Sequence, residues 1–199
     1  PGVTVFTVGD ARLALALAAA ALHQHPGRSL PIVGITGTNG KTTSALMLES
    51  IVHATGHAAG VIGTTGHRIA GRAIPTTHTT PEAPVLQGLL AAARDARCAL
   101  VAMEVSSIGL SLRRADAIPF RVDAFTSFSQ DHLDFHGTMD ANLDAKLRLL
   151  TELLDEGGTA VLHDSLPERV LTADLRGRRR WLVGASASAE LRLLSAAHT

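Results

Sequence analysis

The chain is predicted to be an α/β protein, a mostly parallel sheet with helices on both faces. Three observations predict it. From Leu30 onward, short β-type apolar runs alternate with helical patterns; a glycine-rich loop lies between the first run and the helix after it; and polar residues stand immediately after several of the runs. Alternation of this kind is the pattern of parallel strands joined by helical crossovers. In such sheets ligands bind beyond the carboxyl ends of the strands, so the third observation also says where to look for function.

The elements follow in order. Pro1 to Val8 reads as extended, and the Ala/Leu run from Leu13 to Leu22 as a helix with Asp10 as N-cap, closed by His23-Gln24-His25-Pro26. That run is too short to cross a bilayer, and no small-residue cleavage site follows it, so it is not read as a signal peptide. Strands are expected near 31 to 35, 60 to 63, 98 to 103, 121 to 126, 159 to 162 and 180 to 183. Helices are expected over 42 to 54, 82 to 95, 140 to 154 and 165 to 175. The glycine-punctuated stretch Thr64 to Arg72 reads as a hairpin excursion. The ending, Glu190 to Thr199, offers no turn signal and no obvious terminal element.

Composition excludes several classes. Lys plus Arg and Asp plus Glu each number 18, so the formal charge is zero, and no basic run exceeds Arg178-Arg179-Arg180. Nothing there favours nucleic acid or an anionic membrane surface. The single cysteine, Cys98, can form no internal disulfide, which fits a reducing, cytoplasmic setting.

The loop Gly34-Ile35-Thr36-Gly37-Thr38-Asn39-Gly40-Lys41-Thr42-Thr43 carries the strongest chemistry. A strand, glycine loop and helix in that order can turn backbone N–H groups and the positive end of the helix toward a phosphate. Lys41 can reach outer phosphates and the Thr42 hydroxyl can hold Mg²⁺, which makes the sheet P-loop-type. Ile35 stands where the general motif has its first glycine, and the glycines fall at 34, 37 and 40 instead.

Three further places follow apolar runs. Glu104 ends the run from Cys98, and a strand-end carboxylate beside a phosphate is the hard ligand Mg²⁺ prefers; the alternative is a solvated acid. The stretch Ser129-Gln130-Asp131-His132-Leu133-Asp134-Phe135-His136-Gly137-Thr138 crowds two His and two Asp together. Its spacing matches no usual zinc framework, so a Mg²⁺ ligand with loop hydrogen bonds is the better reading. Lys146 lies on the helix from Asp140 to Leu154, where a lysine is ordinarily solvated.

Gly37-Thr38-Asn39-Gly40-Lys41-Thr42-Thr43, Thr79-Thr80-Pro81-Glu82, Met103-Glu104-Val105-Ser106-Ser107, Asp131 to Met139 and Ala145-Lys146 together resemble the central ATPase domain of the Mur ligase family, most closely its MurE type. The resemblance runs from about Gly27 to Leu194, and residues 1–26 are similar to the end of that family's N-terminal domain. It implies a domain from 27 to 199 and ATP-dependent ligation in two steps. The D-glutamyl carboxylate of a UDP-N-acetylmuramoyl dipeptide is first phosphorylated, and the amine of a diamino acid then displaces phosphate. It also implies ATP and Mg²⁺ as cofactors, with Gly37, Thr38, Asn39, Gly40, Lys41, Thr42 and Thr43 on the nucleotide. Thr42 and Glu104 then serve a first Mg²⁺, His132 with a carbamylated Lys146 a second, and Thr79, Thr80, Ser106 and Arg114 meet the UDP-sugar dipeptide. For Thr79 and Thr80, capping of the helix after Pro81 is a compatible alternative.

The chain departs from the family at Ile108, where His is common, at Leu112, at Asn142 in place of an aromatic, and at His163-Asp164-Ser165-Leu166. Little of the family's N-terminal domain and none of its C-terminal domain is expected within these 199 residues, so this stretch alone is not expected to ligate. Two other readings share many of these residues. One is a cyanophycin-synthetase-like or folylpolyglutamate-synthetase-like ligase, against which the Thr79 to Glu82 and Asp131 to Met139 stretches speak. The other is a catalytically silent nucleotide-binding module.

Overall fold

The computed structural model describes residues 2–195. Residues 2–10 form no helix or strand, and Val3, Val5 and Phe6 are each more than 80% exposed. The first helix, α1 (Ala11–Leu22), starts where Asp10 caps it, its carboxylate accepting from the N–H of Arg12 and of Leu13 at 3.0 Å. A single 3₁₀ turn at Pro26–Arg28 then leads into the sheet.

Nine strands form that sheet. They are β1 (Ile32–Thr36), β2 (Ala59–Ile62), β3 (His67–Ile69), β4 (Arg72–Ile74), β5 (Leu100–Glu104), β6 (Phe120–Phe125), β7 (Leu154–His163), β8 (Arg179–Gly184) and β9 (Leu191–Arg192). Their order is β4-β3-β2-β5-β1-β6-β7-β8-β9. Every pairing is parallel except those of the hairpin β3–β4 and of β3 with β2, so the Thr64 to Arg72 excursion extends the sheet at one edge. β1 lies between β5 and β6; after β1 the chain builds β2 to β5 on one side, and from β6 onward it builds the sheet on the other. The crevice beyond its carboxyl end is therefore the topological switch point, where open parallel sheets bind ligands.

Burial on both faces explains why the central strands read as apolar runs. On one face Ile32, Ile62, Val101 and Met103 pack with Leu86 and Leu90 of α3 (Ala83–Asp95). On the other, Ile35, Val61 and Ala102 pack with Ala45 of α2 (Lys41–Ala54). A further cluster gathers Phe125, Ala160 and Leu162 with Leu143 of α6 (Met139–Arg148). Among the described residues no helix is long and apolar enough to cross a membrane.

The expected helix over 140 to 154 is α6 followed by a π turn, Leu149–Leu153, whose Leu149 and Leu150 are buried. Three expectations are corrected. The strand near 159 to 162 begins already at Leu154, with a register shift against β6. The helix over 165 to 175 shrinks to α7 (Glu168–Leu171), because Pro167 precedes it and Asp174 beyond it accepts from the N–H of Arg176 at 2.8 Å, a local bond that competes with helix. The ending from Glu190 carries the short strand β9, while residues 196–199 of that stretch lie outside the described residues. Two short helices were not foreseen, α4 (Ser107–Ser111) and α5 (Leu133–His136).

Candidate functional site

The loop between β1 and α2 is held in shape by the chain that follows β6. Thr38 N–H donates to the Ser127 carbonyl at 2.9 Å and Asn39 N–H to the Ser127 hydroxyl at 2.9 Å; the Thr126 hydroxyl donates to the Asn39 and Thr36 carbonyls. A side chain at Gly37 would collide with the Thr126 hydroxyl, so glycine is what lets the two segments meet. α2 begins just after Gly40, whose φ of 89° suits glycine and which offers no capping side chain. The first intrahelical bond runs from Ser44 N–H to the Gly40 carbonyl, which leaves the N–H groups of Lys41, Thr42 and Thr43 ahead of the ladder. Uncapped donors at the positive end of a 14-residue helix are an anion site by construction.

Three charged side chains of the sequence reading converge at this end. Lys41 Nζ donates to the Gly37 and Thr38 carbonyls at 2.7 and 2.9 Å. Desolvation lowers its pKa, opposed by the charges of Glu104 and Asp131. Glu104 is buried rather than solvated, at 1% exposure. Its carboxylate accepts from the Thr42 hydroxyl at 2.9 Å and from the Thr64 N–H and hydroxyl at 3.0 and 3.1 Å. Gly63 is a glycine for this reason, since a Cβ there would occupy the position of the Glu104 carboxylate.

Lys146 is buried too, 2% exposed, and its ammonium makes one long bond to the Gly37 carbonyl at 3.4 Å. Burial first, and the charge of Lys41 second, pull its pKa down to about 8. A solvated helix lysine is thereby ruled out.

His132 is not among the hydrogen-bond partners of Thr42 and Glu104. It is half exposed, 3.3 Å from the Asp131 carboxylate, and adopts a left-handed backbone, φ 50°, at the start of α5. His136 is drawn inward instead, its Nε2 2.9 Å from the Ser107 hydroxyl. Desolvation, with the charges of Lys146 and His132, keeps the His136 imidazole below its usual pKa. Among the described residues no group of three or more His, Cys, Asp or Glu is placed to hold a metal ion. The donors present, a buried carboxylate bonded to a threonine hydroxyl beside an anion-binding helix end, fit Mg²⁺, which keeps waters and shares its shell with phosphates.

Of the four residues expected to meet substrate, Thr80, Ser106 and Arg114 form one bonded cluster and Thr79 bonds elsewhere. The Thr80 hydroxyl donates to the Glu104 carbonyl and accepts from the Ser106 N–H, both at 3.0 Å; Arg114 donates to the Thr80 carbonyl at 3.0 Å and pairs with Glu82 at 2.6 Å. Thr79 lies 3.0 Å from the Thr64 hydroxyl. The capping alternative is corrected, because α3 begins after Glu82 with no side-chain cap and Thr80 ties the strand ends together instead. Thr64, Thr126 and Ser127 have no assigned role in the sequence reading, and His136 enters it only as one of the two His of the crowded stretch. The first three follow apolar strands, so the rule that identified Glu104 could have found them; His136 had no signal that told it from His132.

A family model described as the Mur ligase middle domain matches residues 35–196. The chain is 50% identical over 169 residues to a UDP-N-acetylmuramoyl-L-alanyl-D-glutamate–2,6-diaminopimelate ligase of Corynebacterium glutamicum, covering 83% of this chain and 33% of the relative. It is 44% identical over 153 residues to the Geobacter metallireducens protein of the same name, covering 77% and 30%. The chain thus spans 33% and 30% of those two relatives. A solved structure of a ligase with that name superposes with a TM-score of 0.76 at 24% identity, over 92% of this chain and 40% of the other, a likeness of fold.

Proposed function

Because the chain belongs to the Mur ligase family, as a middle domain, we propose that it is the ATP-binding core of a ligase of peptidoglycan precursor synthesis. The reaction is addition of a diamino acid, diaminopimelate in the named relatives, to UDP-N-acetylmuramoyl-L-alanyl-D-glutamate. Residues 27–199 form the middle domain and residues 1–26 the end of a preceding one. The setting is cytoplasmic, where ATP and the nucleotide-linked precursor are found.

One observation carries the reading: the uncapped start of α2 faces the same crevice as the hydrogen-bonded pair Thr42–Glu104. Activation of a carboxylate by ATP brings two anions together, and only compensating positive charge makes that approach feasible. Bound Mg²⁺ supplies charge that cancels the repulsion between triphosphate and carboxylate. Glu104 and the Thr42 hydroxyl are the residues that would hold one such ion, and His132 with a carbamate on Lys146 those that would hold a second. The loop from Gly37 to Thr43 orients the phosphates through backbone donors. Lys41 leaves its carbonyl partners to neutralise charge on the phosphoryl group in transit.

In the first step an oxygen of the D-glutamyl carboxylate attacks the γ-phosphorus, a P–O bond forms, and the bond to ADP breaks. In the second the amine attacks the acyl carbon, inorganic phosphate leaves, and the amine loses a proton. Lys146 is proposed to be carbamylated: its neutral amine adds to CO₂, an N–C bond forms, and one proton is released to solvent. Only the neutral amine can do so, and the burial that brings its pKa down to about 8 enlarges the neutral fraction at neutral pH. Thr79, Ser106 and Arg114 line the side on which the UDP-sugar dipeptide would lie, with Thr80 fixing the segment.

The test is phosphate and ADP release by the protein that carries this chain. The expected result is release that needs Mg²⁺, UDP-N-acetylmuramoyl-L-alanyl-D-glutamate and diaminopimelate together. Release indifferent to the dipeptide would reject this substrate, and ATP binding with no release under any condition would favour the silent module.

A further inference from the structure

Asn142 sits one helical turn before Lys146 and is 0% exposed. Its Nδ2 donates to the Asp131 carbonyl at 2.7 Å, while its Oδ1 is buried with no partner. The carbonyl of Asp131 can only accept, so the orientation of the amide is fixed and the orphan atom is the oxygen. A buried, unpaired amide oxygen costs about 1–3 kcal/mol, which an apolar residue at this helix position would avoid.

The bond also acts on backbone. The Asp131 carbonyl belongs to the peptide plane that joins Asp131 to His132, and rotation of that plane is the φ of His132, which stands at 50°. Left-handed backbone disfavours any residue with a Cβ by about 1–2 kcal/mol. Asn142 therefore pins, from α6, the conformation that aims His132.

We propose that Asn142 is a positioning residue coupling the two halves of the metal-binding edge. Its amide nitrogen holds the Asp131–His132 turn, and its amide oxygen is the acceptor for the Nζ–H of Lys146 once that side chain is drawn toward the crevice. Two buried donors are candidates, the Nζ–H of Lys146 and the unpartnered hydroxyl of Thr36, which precedes the Gly37 carbonyl that Lys146 now contacts. Lys146 is preferred because i and i+4 residues are neighbours on a helix. The inference rests on the metal and carbamate roles given above.

The test uses Asn142→Leu, close in size, and Asn142→Ser, smaller and safer for folding, with thermal unfolding as control. Binding of Mn²⁺ in the presence of a non-hydrolysable ATP analogue is followed by electron paramagnetic resonance, and carbamate on Lys146 by the carbon-13 signal of labelled bicarbonate. Partners that orient metal ligands change affinity about 10–100-fold, so half-saturating Mn²⁺ is expected to rise about tenfold in both variants. The bicarbonate needed for half the carbamate signal is expected to rise with it. Metal-free binding of the analogue should not change. Unaltered Mn²⁺ binding in a variant that stays folded overturns the proposal. If the unaltered chain shows no carbamate signal, the carbamate reading of Lys146 fails, and the Mn²⁺ measurement still decides the role of Asn142.

Discussion

Two buried carboxylates flank β1 and have opposite surroundings. Glu104, the last residue of β5, accepts hydrogen bonds from Thr42 and twice from Thr64. Asp123, in the middle of β6 and paired across the ladder with Gly34, is 0% exposed and neither of its oxygens has a partner. Burial pushes its carboxyl well above the usual range, with the charge of Arg178 opposing. The difference is one of height along the strand. At a carboxyl end the ladder has stopped, so loop N–H groups and hydroxyls are free to meet an anion; within the sheet every backbone donor is already taken. Gly34 is what admits Asp123 at all, since a side chain there would strike its carboxylate and Phe120. The rim can thus carry charge for chemistry, whereas the interior holds its acid neutral at a cost in stability.

If that contrast is right, rim variants change turnover with little change in stability, and the interior variant does the reverse. The largest effect is expected for Lys41→Ala, which should lower substrate-dependent ADP release about 10²–10³-fold, the scale of losing one pre-positioned transition-state donor. Release near the original rate would remove the phosphate role from the loop. Next is Lys146→Ala, expected to lose most ligation and to recover part of it with added acetate. An undiminished rate would leave Lys146 as a buried packing residue. Carbamate on Lys146 should also increase as pH rises through about 8, where the ammonium gives up its proton.

Glu104→Gln keeps the shape and removes the charge, so the Mg²⁺ needed for half-maximal turnover should rise about 10-fold or more. An unchanged metal dependence would make Glu104 only a tie between loops. The smallest effect is at Asp123. A raised folded-state pKa means the acid's contribution is most favourable below its unfolded value of 3.8 and is lost as pH climbs. Asp123→Asn, which cannot ionise, should therefore gain stability on the original in urea unfolding as pH rises from about 4 to about 7. A gap that does not change with pH would show that Asp123 is not held neutral.

Where local order alone encodes a feature, the sequence was sufficient. The run from Gly34 to Thr43 marks strand, turn and helix start by its residue types, although Thr126 and Ser127 hold the loop's shape, and Asp10 caps α1 through residues two and three positions on. The central strands were legible because burial on both faces leaves an unbroken apolar run. The short α7 and the long β7 were misjudged because a proline with a competing Asp side chain, and a shifted register against β6, lie beyond what periodicity registers.

The amino-acid order determined the alternating fold, the phosphate-type loop and the residues worth inspecting. Tertiary structure decided which of them are buried and what each one touches. Lys146 is a surface lysine by pattern and a desolvated amine in the folded chain, because β1 and α6 place it against Gly37 across more than a hundred residues. Glu104 and Thr42, 62 positions apart, meet only because β5 and β1 are neighbours in the sheet. Periodicity reports which face of an element is buried. It carries no information on which other element lies there, and ionisation and bonding depend on that neighbour.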